Sequence, residues 1–168
     1  MTTTTLLIGG IGDKMTEVTD IYNFYPIEEA VSTSGQPRKA QLRALAAEGC
    51  EVVINLALHD DSRYSLPDER GLVEGLGMVY IPIPVQFDNP TEDDLLAFFQ
   101  AMENYSNRKI HIHCAANMRV TAFLGLYRLL KQGKPKDEAF EPMQSIWEPN
   151  EVWSSFIANI IAKYTDQC

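Results

Sequence analysis

The sequence predicts a single α/β domain in which a mainly parallel central sheet is flanked by helices. Two observations support this fold class. Short β-branched runs alternate with longer amphipathic segments, an order typical of parallel sheets whose strands are connected by helices. The composition, with 45% hydrophobic and 22% charged residues, is that of a globular protein. A length of 168 residues corresponds to one ordinary domain.

The first part of the chain, residues 1–30, is expected to be an N-terminal extension that packs on a domain formed by residues 31–168. Within the extension, the apolar residues between Ile21 and Ile27 predict a short strand and turn. The first strand of the domain is Val31–Ser34, which ends at the turn residues Gly35–Pro37. The sheet is therefore expected to begin near residue 31.

A helix over residues 38–48 follows this turn. Leu42 and Leu45 share one helical face there, and Gly49 provides a stop. Next comes Glu51–Leu56, a β-branched run that is typical of a strand buried on both faces. The first half of the chain therefore has the strand–helix–strand order of a parallel sheet.

The following two helices are recognised by their N-terminal caps. Ser65 with Asp68 three residues later forms a capping-box pattern, and Thr91 with Asp94 repeats that pattern. Between these helices, residues 78–83 predict a strand that is interrupted by proline. The alternation of strands and helices thus continues through the middle of the chain.

The last strand is predicted over residues 109–113, and a long helix over residues 118–131 comes after it. Two further helices are predicted over residues 138–146 and 150–164. In the final helix, apolar residues at four-residue steps predict a buried stripe of Val152, Phe156, Ile160 and Tyr164. Because ligands of parallel sheets collect at the carboxyl ends of the strands, the functional site is expected there.

Charge and cysteine content limit the partners and the compartment. Fourteen Lys and Arg against 23 Asp and Glu give a net charge of −9, which repels nucleic acid. Cys50, Cys114 and Cys168 lie too far apart for a CxxC metal or redox motif, and their odd number favours a reducing compartment. No segment has the pattern of a signal peptide or a membrane span. We therefore expect a cytoplasmic protein without cofactor, metal or membrane partner.

The candidate catalytic residues follow the last predicted strand. Cys114 lies at the end of that strand, and a helix begins a few residues later. The free amides and dipole of a helix start favour an anion and the thiolate form of a nearby cysteine. Arg119 adds a planar set of donors that matches an oxyanion. This grouping favours covalent catalysis on an anionic substrate over an inert, buried cysteine.

The same segment resembles the signature of the cysteine-dependent tyrosine and dual-specificity phosphatases, which reads His-Cys, five residues, Arg and then Ser or Thr. The chain is most similar to a bacterial, phosphatase-like branch of that superfamily known as a domain of unknown function. The resemblance covers most of the chain from Ile21 onward. It rests on five separated matches in the same order, at residues 34–37, 53–56, 81–84, 113–121 and 146–153.

This resemblance implies a dual-specificity phosphatase-like fold and hydrolysis of a phosphate monoester through a phosphocysteine intermediate. Cys114 would attack phosphorus as the thiolate, and Asp88 would protonate the leaving group and then activate water. Arg119 would bind the phosphate together with the loop residues Ala115, Ala116, Asn117 and Met118. The implied partner is a small phosphorylated or anionic substrate, and no oligomeric state is predicted.

Two supporting residues are also implied by the resemblance. His113 would organise the loop by hydrogen bonding, and Thr121 would supply the hydroxyl group that helps the thiolate to leave. Asp88 lies in an Asp-Asn-Pro sequence that is equally typical of a simple turn. Glu69 also matches the bacterial branch, but no step of the implied mechanism requires this residue.

The signature departs from the phosphatase pattern in its spacing, and this leaves two alternatives open. Only four residues separate Cys114 from Arg119, and Val120 directly follows Arg119. A loop of this length resembles that of the rhodanese-type sulfurtransferases, which use a cysteine persulfide. The second alternative is a catalytically silent module that binds an anion or a phosphorylated ligand. Asn117 stands where glycine is usual, although Asn tolerates a left-handed turn better than most residues.

A few further residues are interpreted as structural. His59 and the aspartates at 60 and 61 are assigned to a solvated surface loop. Trp147 and Trp153 are assigned to the core, because large aromatic residues near a helix start are usually buried.

Overall fold

The computed structural model describes residues 16–58 and 65–165 of the chain. The predicted surface loop containing His59, the C-terminal Cys168 and the first 15 residues of the predicted extension lie outside the described residues.

A five-stranded sheet forms the centre of the molecule, with the spatial order β1-β2-β5-β3-β4. Strand β1 is antiparallel to β2, and every other pair of neighbours is parallel, which confirms the predicted fold class. Strand β1 falls within the stretch predicted as an extension and forms one edge of the sheet. The strands are Tyr25–Glu28 (β1), Val31–Ser34 (β2), Val52–Asn55 (β3), Val79–Pro82 (β4) and Ile110–His113 (β5).

Seven α-helices connect or follow the strands in the described part of the chain, and a 3-10 helix at Val18–Asp20 precedes β1. Most lie within one or two residues of the predicted helices, because apolar spacing and caps define them locally. The helices are Lys39–Ala47 (α1), Glu69–Gly75 (α2), Glu92–Asn104 (α3), Met118–Leu130 (α4), Lys136–Ala139 (α5), Glu141–Ile146 (α6) and Glu151–Thr165 (α7).

The two faces of the sheet pack against two separate cores. Alternate residues of β3 divide between them: Val52 and Ile54 belong to the larger core, and Val53 belongs to the smaller one. The larger core includes residues of α3, α4 and α7, whereas the smaller one includes residues of α1 and α2. Strands β2, β5 and β3 run parallel, so their carboxyl ends meet at one edge between these helical layers.

Three of the local predictions differ from the structure. The helix predicted over residues 138–146 is divided at Phe140 into α5 and α6. Helix α2 is capped by Asp68, whose side chain accepts a hydrogen bond from the Gly71 amide at 3.2 Å, and not by Ser65. A turn at residues 67–68 separates Ser65 from the helix, so the helix begins about one turn later than the Ser65 capping pattern predicts.

The predicted buried stripe of α7 is wrong at Val152, whereas Ile160 is buried as predicted and Phe156 and Tyr164 pack partly buried against the core. Trp153, Ile157 and Ile160 are buried, whereas Val152 is 42% exposed. Packing of the large indole of Trp153 into the core sets the rotation of the helix, because it removes more apolar surface from water than Val152 could.

Within residues 16–58 and 65–165, no helix is long and apolar enough to cross a membrane.

Close packing of α4 against the segment between α5 and α6 depends on Gly125. A Cβ atom at this position would overlap the ring of Phe140, whereas a Cβ at Gly75 would have no neighbour within 4 Å. We therefore predict that Gly125→Ala lowers the free energy of unfolding by ~1–3 kcal/mol through overpacking. The matched control Gly75→Ala should leave the stability unchanged or slightly raised. Urea denaturation measures both, and equal midpoints for the two variants would contradict this packing.

Candidate active site

The candidate site is a short loop between strand β5 and helix α4. Cys114 directly follows β5 at the carboxyl edge of the sheet, and α4 begins at Met118. Asn117 precedes the helix with φ = +66°, a left-handed conformation that few residues other than glycine and asparagine adopt easily. This geometry turns the chain from the strand into the helix within the four residues that separate Cys114 from Arg119.

Side chains from two other segments hold this turn in place. The Asn117 amide nitrogen donates to the carbonyl of Asn23 at 2.8 Å and to the hydroxyl of Thr33 at 3.0 Å. In return, the Asn23 side chain donates to the carbonyl of Ala116 at 3.0 Å. Asn117 thus ties the loop to β2 and to the turn before β1, which explains its position in the signature.

The Gly35–Pro37 turn after β2 packs directly on the loop. The Gln36 amide donates to the carbonyl of Ala115 at 3.1 Å, and the Gly35 amide donates to the carbonyl of Tyr22 at 2.7 Å. A Cβ atom on residue 35 would lie 2.5 Å from the Ala115 carbonyl oxygen. Glycine is therefore required at position 35 because the two backbones approach so closely.

A cavity of about 440 Å³ lies over this loop. Arg119 is its only charged lining residue in the described part of the chain, and the walls are mainly aromatic and apolar. Cys114, which also lines the cavity, has no exposed surface of its own. The lining residues are Tyr22, Phe87, Cys114, Ala115, Ala116, Met118 and Arg119.

Arg119 is buried beside the thiol loop rather than extended into solvent. Its side chain is 8% exposed, and Nη1 donates to the Val85 carbonyl at 2.8 Å. The buried Nε–H group has no hydrogen-bond partner among the described residues. A buried donor without an acceptor is energetically costly, so this cavity favours an anionic ligand that accepts from Arg119.

Backbone amides add further donors at the same place. Among the described residues, the amides of Ala115 and Ala116 have no hydrogen-bond acceptor. The first amides of α4, beginning with Met118, have no partner inside the helix because a helix leaves its first four donors free. Of the predicted set, five residues line this one cavity: Cys114, Ala115, Ala116, Met118 and Arg119. Asn117 is fully buried outside the lining, and its side chain holds the loop instead.

His113 forms a buried pair with a residue to which the sequence assigned no chemistry. Its Nε2 atom lies 2.6 Å from Oε2 of Glu69, and both side chains are almost completely shielded from solvent. Oε1 of Glu69 accepts from the Gln36 side chain at 2.9 Å. Glu69 therefore connects the turn after β2 to the residue that precedes Cys114, and sequence reasoning missed this contact.

His111 lies on the same strand and is held between two hydroxyl groups. Ser32 Oγ lies 2.8 Å from Nδ1, and Ser34 Oγ lies 2.8 Å from Nε2. Because Ser34 donates its own proton to the Gly35 carbonyl, Nε2 must be the donor and Nδ1 the acceptor. Burial, with a smaller contribution from His113, holds the pKa of His111 well below its usual range. His111 is therefore a neutral, structural residue.

Thr121 is turned into its own helix. Its hydroxyl donates to the carbonyl of Asn117 at 2.8 Å and accepts from the Trp147 indole at 3.2 Å. No described contact joins it to Cys114, so its predicted assistance to the departing thiolate stays a prediction.

The loop that carries Asp88 borders the cavity without placing Asp88 in its lining. Asp88 is exposed on a turn at residues 86–89, and its neighbour Phe87 lines the cavity. The Trp153 indole donates to the Phe87 carbonyl at 2.6 Å, and the rings of Trp147 and Trp153 pack on the Phe87 ring. The two tryptophans interpreted as core residues therefore also position this loop.

The family comparison agrees with this geometry. Residues 16–151 match the family model PTP-NADK, described as DSP-PTPase phosphatase fused to NAD+ Kinase. A candidate phosphatase (DUF442) from Shewanella putrefaciens CN-32 is 33% identical, with a TM-score of 0.78. This match covers 88% of the present chain and 96% of the Shewanella chain. No significant match was found among curated proteins.

Two more distant structures share the fold. PTPMT1 in complex with PI(5)P is 16% identical with a TM-score of 0.71, and the match covers 86% of this chain and 97% of PTPMT1. A cysteine-to-serine variant of P. aeruginosa TpbA in complex with pTyr is 18% identical with a TM-score of 0.64. That match covers 84% of this chain and 85% of TpbA.

The indole of Trp153 should control the mobility of the turn at residues 86–89. Trp153→Phe keeps an aromatic ring but removes the hydrogen bond to the Phe87 carbonyl, so we predict faster amide exchange in this turn. The expected loss of stability is ~1 kcal/mol. Trp147→Phe is the matched control, because it also replaces an indole that packs on Phe87 but removes a hydrogen bond to Thr121 rather than one to the turn. Hydrogen exchange followed by mass spectrometry measures both variants, and unchanged exchange in Trp153→Phe would contradict this anchoring.

Proposed function

The chain belongs to the PTP-NADK family of DSP-PTPase phosphatases, and we propose that it hydrolyses a phosphate monoester through a phosphocysteine intermediate on Cys114. One observation carries this proposal. Cys114 and Arg119 line the same cavity, and the buried Nε–H of Arg119 lacks an acceptor that a phosphoryl oxygen would supply. Free amides at Ala115 and Ala116 would bind the remaining equatorial oxygens.

In the first step, the Cys114 thiolate attacks phosphorus. A sulfur–phosphorus bond forms while the bond from phosphorus to the ester oxygen breaks, and Asp88 gives its proton to the departing oxygen. Asp88 is assigned this step because its loop borders the cavity through Phe87. It would enter the cavity only after substrate binds, since its side chain is exposed in this structure.

In the second step, water regenerates the enzyme. The Asp88 carboxylate takes a proton from the water molecule, whose oxygen forms a bond to phosphorus. The sulfur–phosphorus bond breaks, inorganic phosphate leaves, and the thiolate returns. Arg119 and the loop amides stabilise the charge on the phosphoryl oxygens during both steps.

The walls of the cavity indicate what kind of ester would enter. Tyr22 and Phe87 are exposed aromatic residues of the lining, and Met118 adds apolar surface. A phosphate next to an aromatic or apolar group fits this arrangement better than a highly charged molecule, given the net charge of −9. The ligands pTyr and PI(5)P, bound by two structures that share this fold, each carry a phosphate monoester group, which supports a monoester as substrate.

Complete burial of the thiol favours a second candidate function. Cys114 has no exposed surface, and the loop has one residue fewer than the phosphatase signature. A module that binds a phosphorylated ligand without turnover needs only Arg119 and the loop amides. This candidate predicts tight anion binding together with no hydrolysis of any ester.

Replacing the nucleophile tests the proposal most simply. We predict that Cys114→Ser lowers hydrolysis of para-nitrophenyl phosphate by at least about 1,000-fold, because serine is far less acidic than a thiol. The variant should still bind vanadate or phosphate through Arg119. Cys50→Ser serves as the control, since burial raises the pKa of Cys50 to about 11 and keeps it an unreactive thiol. Retained activity in Cys114→Ser would overturn the mechanism.

If the wild-type protein hydrolyses no phosphate ester, one of the two other candidate functions is favoured. Tight phosphate binding without turnover would support the binding module. Release of thiocyanate from thiosulfate and cyanide would instead support the persulfide chemistry suggested by the short loop.

The role of Asp88 is tested by how strongly its replacement slows the hydrolysis of esters with different leaving groups. Asp88→Asn should slow hydrolysis by about 100-fold or more for alkyl phosphates, whose leaving oxygens need a proton, and less for nitrophenyl phosphate. Asp93→Asn, on the first turn of α3, is a matched control that should not change either rate. Equal slowing of both substrates by Asp88→Asn would assign the acid to another residue.

A further inference from the structure

A second cavity lies beside the one over Cys114. It has a volume of about 610 Å³, and Tyr22 and Ala115 line both cavities. Building on the proposed phosphatase function, we infer that this side cavity binds a further phosphate group of the same substrate through Arg38 and Lys39. The substrate class is then a small bisphosphate, in which an aromatic or apolar body joins the ester cleaved at Cys114 to a second phosphate.

The lining of the side cavity is positively charged. Arg38, which directly precedes α1, and Lys39, its first residue, both line the cavity, and no Asp or Glu does so in the described part of the chain. Because the net charge of the protein is −9, an anion is attracted only where positive charge is locally concentrated. A cavity of about 260 Å³ near the start of β5 differs in this respect, since its charged lining residues are Glu28, Glu29, Glu48 and Lys109.

Neither cation of the side cavity is neutralised by a neighbouring carboxylate. None of the ion pairs among the described residues includes Arg38 or Lys39, and both side chains are exposed. Two adjacent, unpaired cations match the charge of a phosphate group and can donate several hydrogen bonds to it. Five other Lys and Arg residues do pair with a glutamate, namely Arg70, Arg108, Lys131, Lys134 and Lys163.

The Gln36 side chain also lines the side cavity, but its donors are already used. Its nitrogen donates to Glu69 at 2.9 Å and to the Pro37 carbonyl at 3.0 Å. The Gln36 backbone amide donates to the Ala115 carbonyl at 3.1 Å. The charged donors that a ligand can engage are therefore those of Arg38 and Lys39.

The wall between the two cavities indicates what joins the two phosphates. Tyr22 is 61% exposed, so part of its ring is available to a ligand that passes from one cavity to the other. An aromatic or apolar body can pack on this ring, while Arg119 binds the phosphate over Cys114. Both cavities have the size of small-molecule sites, and a nucleoside bisphosphate has this combination of an aromatic body and two phosphates.

The overall charge favours a small molecule over an acidic phosphopeptide. A peptide would place its further carboxylates along a surface whose net charge is negative, and this repulsion opposes binding. A bisphosphate needs only the two local groups of donors, one at Arg119 and one at Arg38 and Lys39.

The test is ligand binding to the Cys114→Ser variant, which keeps Arg119 and prevents turnover. Isothermal titration calorimetry compares adenosine 3′,5′-bisphosphate with adenosine 3′-phosphate and adenosine 5′-phosphate, each of which lacks one of the two phosphates. We expect the bisphosphate to bind at least about tenfold more tightly than either monophosphate, because hydrogen bonds between charged groups are strong. Raising the salt concentration should reduce this preference.

Single substitutions in the same background assign the preference to residues. Arg38→Gln and Lys39→Gln should each lower the ratio of bisphosphate affinity to monophosphate affinity by about three- to tenfold. Arg43→Gln is the matched control, because Arg43 is exposed on the same helix and lies outside the lining of both cavities. It removes the same charge and should leave the ratio unchanged.

Equal affinities for the bisphosphate and the monophosphates would overturn the inference, as would a preference that survives both substitutions or falls equally in Arg43→Gln. A phosphotyrosine peptide with neighbouring glutamates is the competing ligand. If its affinity depended on Arg38 and Lys39 more strongly than that of the bisphosphate, the side cavity would belong to a protein substrate and the inference would be overturned.

Activity of the wild type separates this inference from the proposed function. Hydrolysis of phosphate monoesters without preferred binding of the bisphosphate would overturn the inference alone. Preferred binding of the bisphosphate by a protein that hydrolyses no phosphate ester would support the ligand assignment of the side cavity and overturn the proposed function.

Discussion

The contact between Glu69 and His113 is the interaction on which the geometry of the site depends. Two ionisable groups at 2.6 Å, both removed from water, are tolerated only when their charges balance and their remaining polar atoms are satisfied. This requirement brings α2 and the Gly35–Pro37 turn against the end of β5. In this arrangement the Gln36 side chain donates to Glu69, and glycine at position 35 lets the same turn approach the Ala115 backbone.

From that contact outward, distant parts of the chain converge on one loop. Tyr22 and Asn23 approach the loop from the segment before β1. Trp147 and Trp153 approach it from the segment around α7. Trp153 fixes the loop next to Asp88 through the Phe87 carbonyl, and Trp147 reaches Thr121 on α4. The separated motifs of the sequence are therefore parts of one assembly, in which each element holds another near Cys114.

Local patterns in the sequence predicted most of the fold, because strand alternation, helical spacing and caps such as Thr91 depend on neighbouring residues. That Cys114 and Arg119 share one site could be predicted for the same reason, since strand, loop and helix are contiguous around them. The Glu69–His113 contact joins residues 44 positions apart, and the Trp153–Phe87 contact joins residues 66 apart. Contacts between residues so far apart produce no recognisable pattern in the local sequence. The errors at Ser65 and Val152 arose where a turn or a large indole overrode the local spacing.

The central claim is that Cys114 carries the phosphoryl group during turnover. The most direct measurement is acid quenching of the wild-type protein during hydrolysis of a phosphate monoester, followed by mass spectrometry of the peptide that contains Cys114. The account predicts a phosphoryl adduct on Cys114 that accumulates further in Asp88→Asn, where water is activated slowly. Ester hydrolysis at an undiminished rate with no adduct on this cysteine, in either protein, would contradict it.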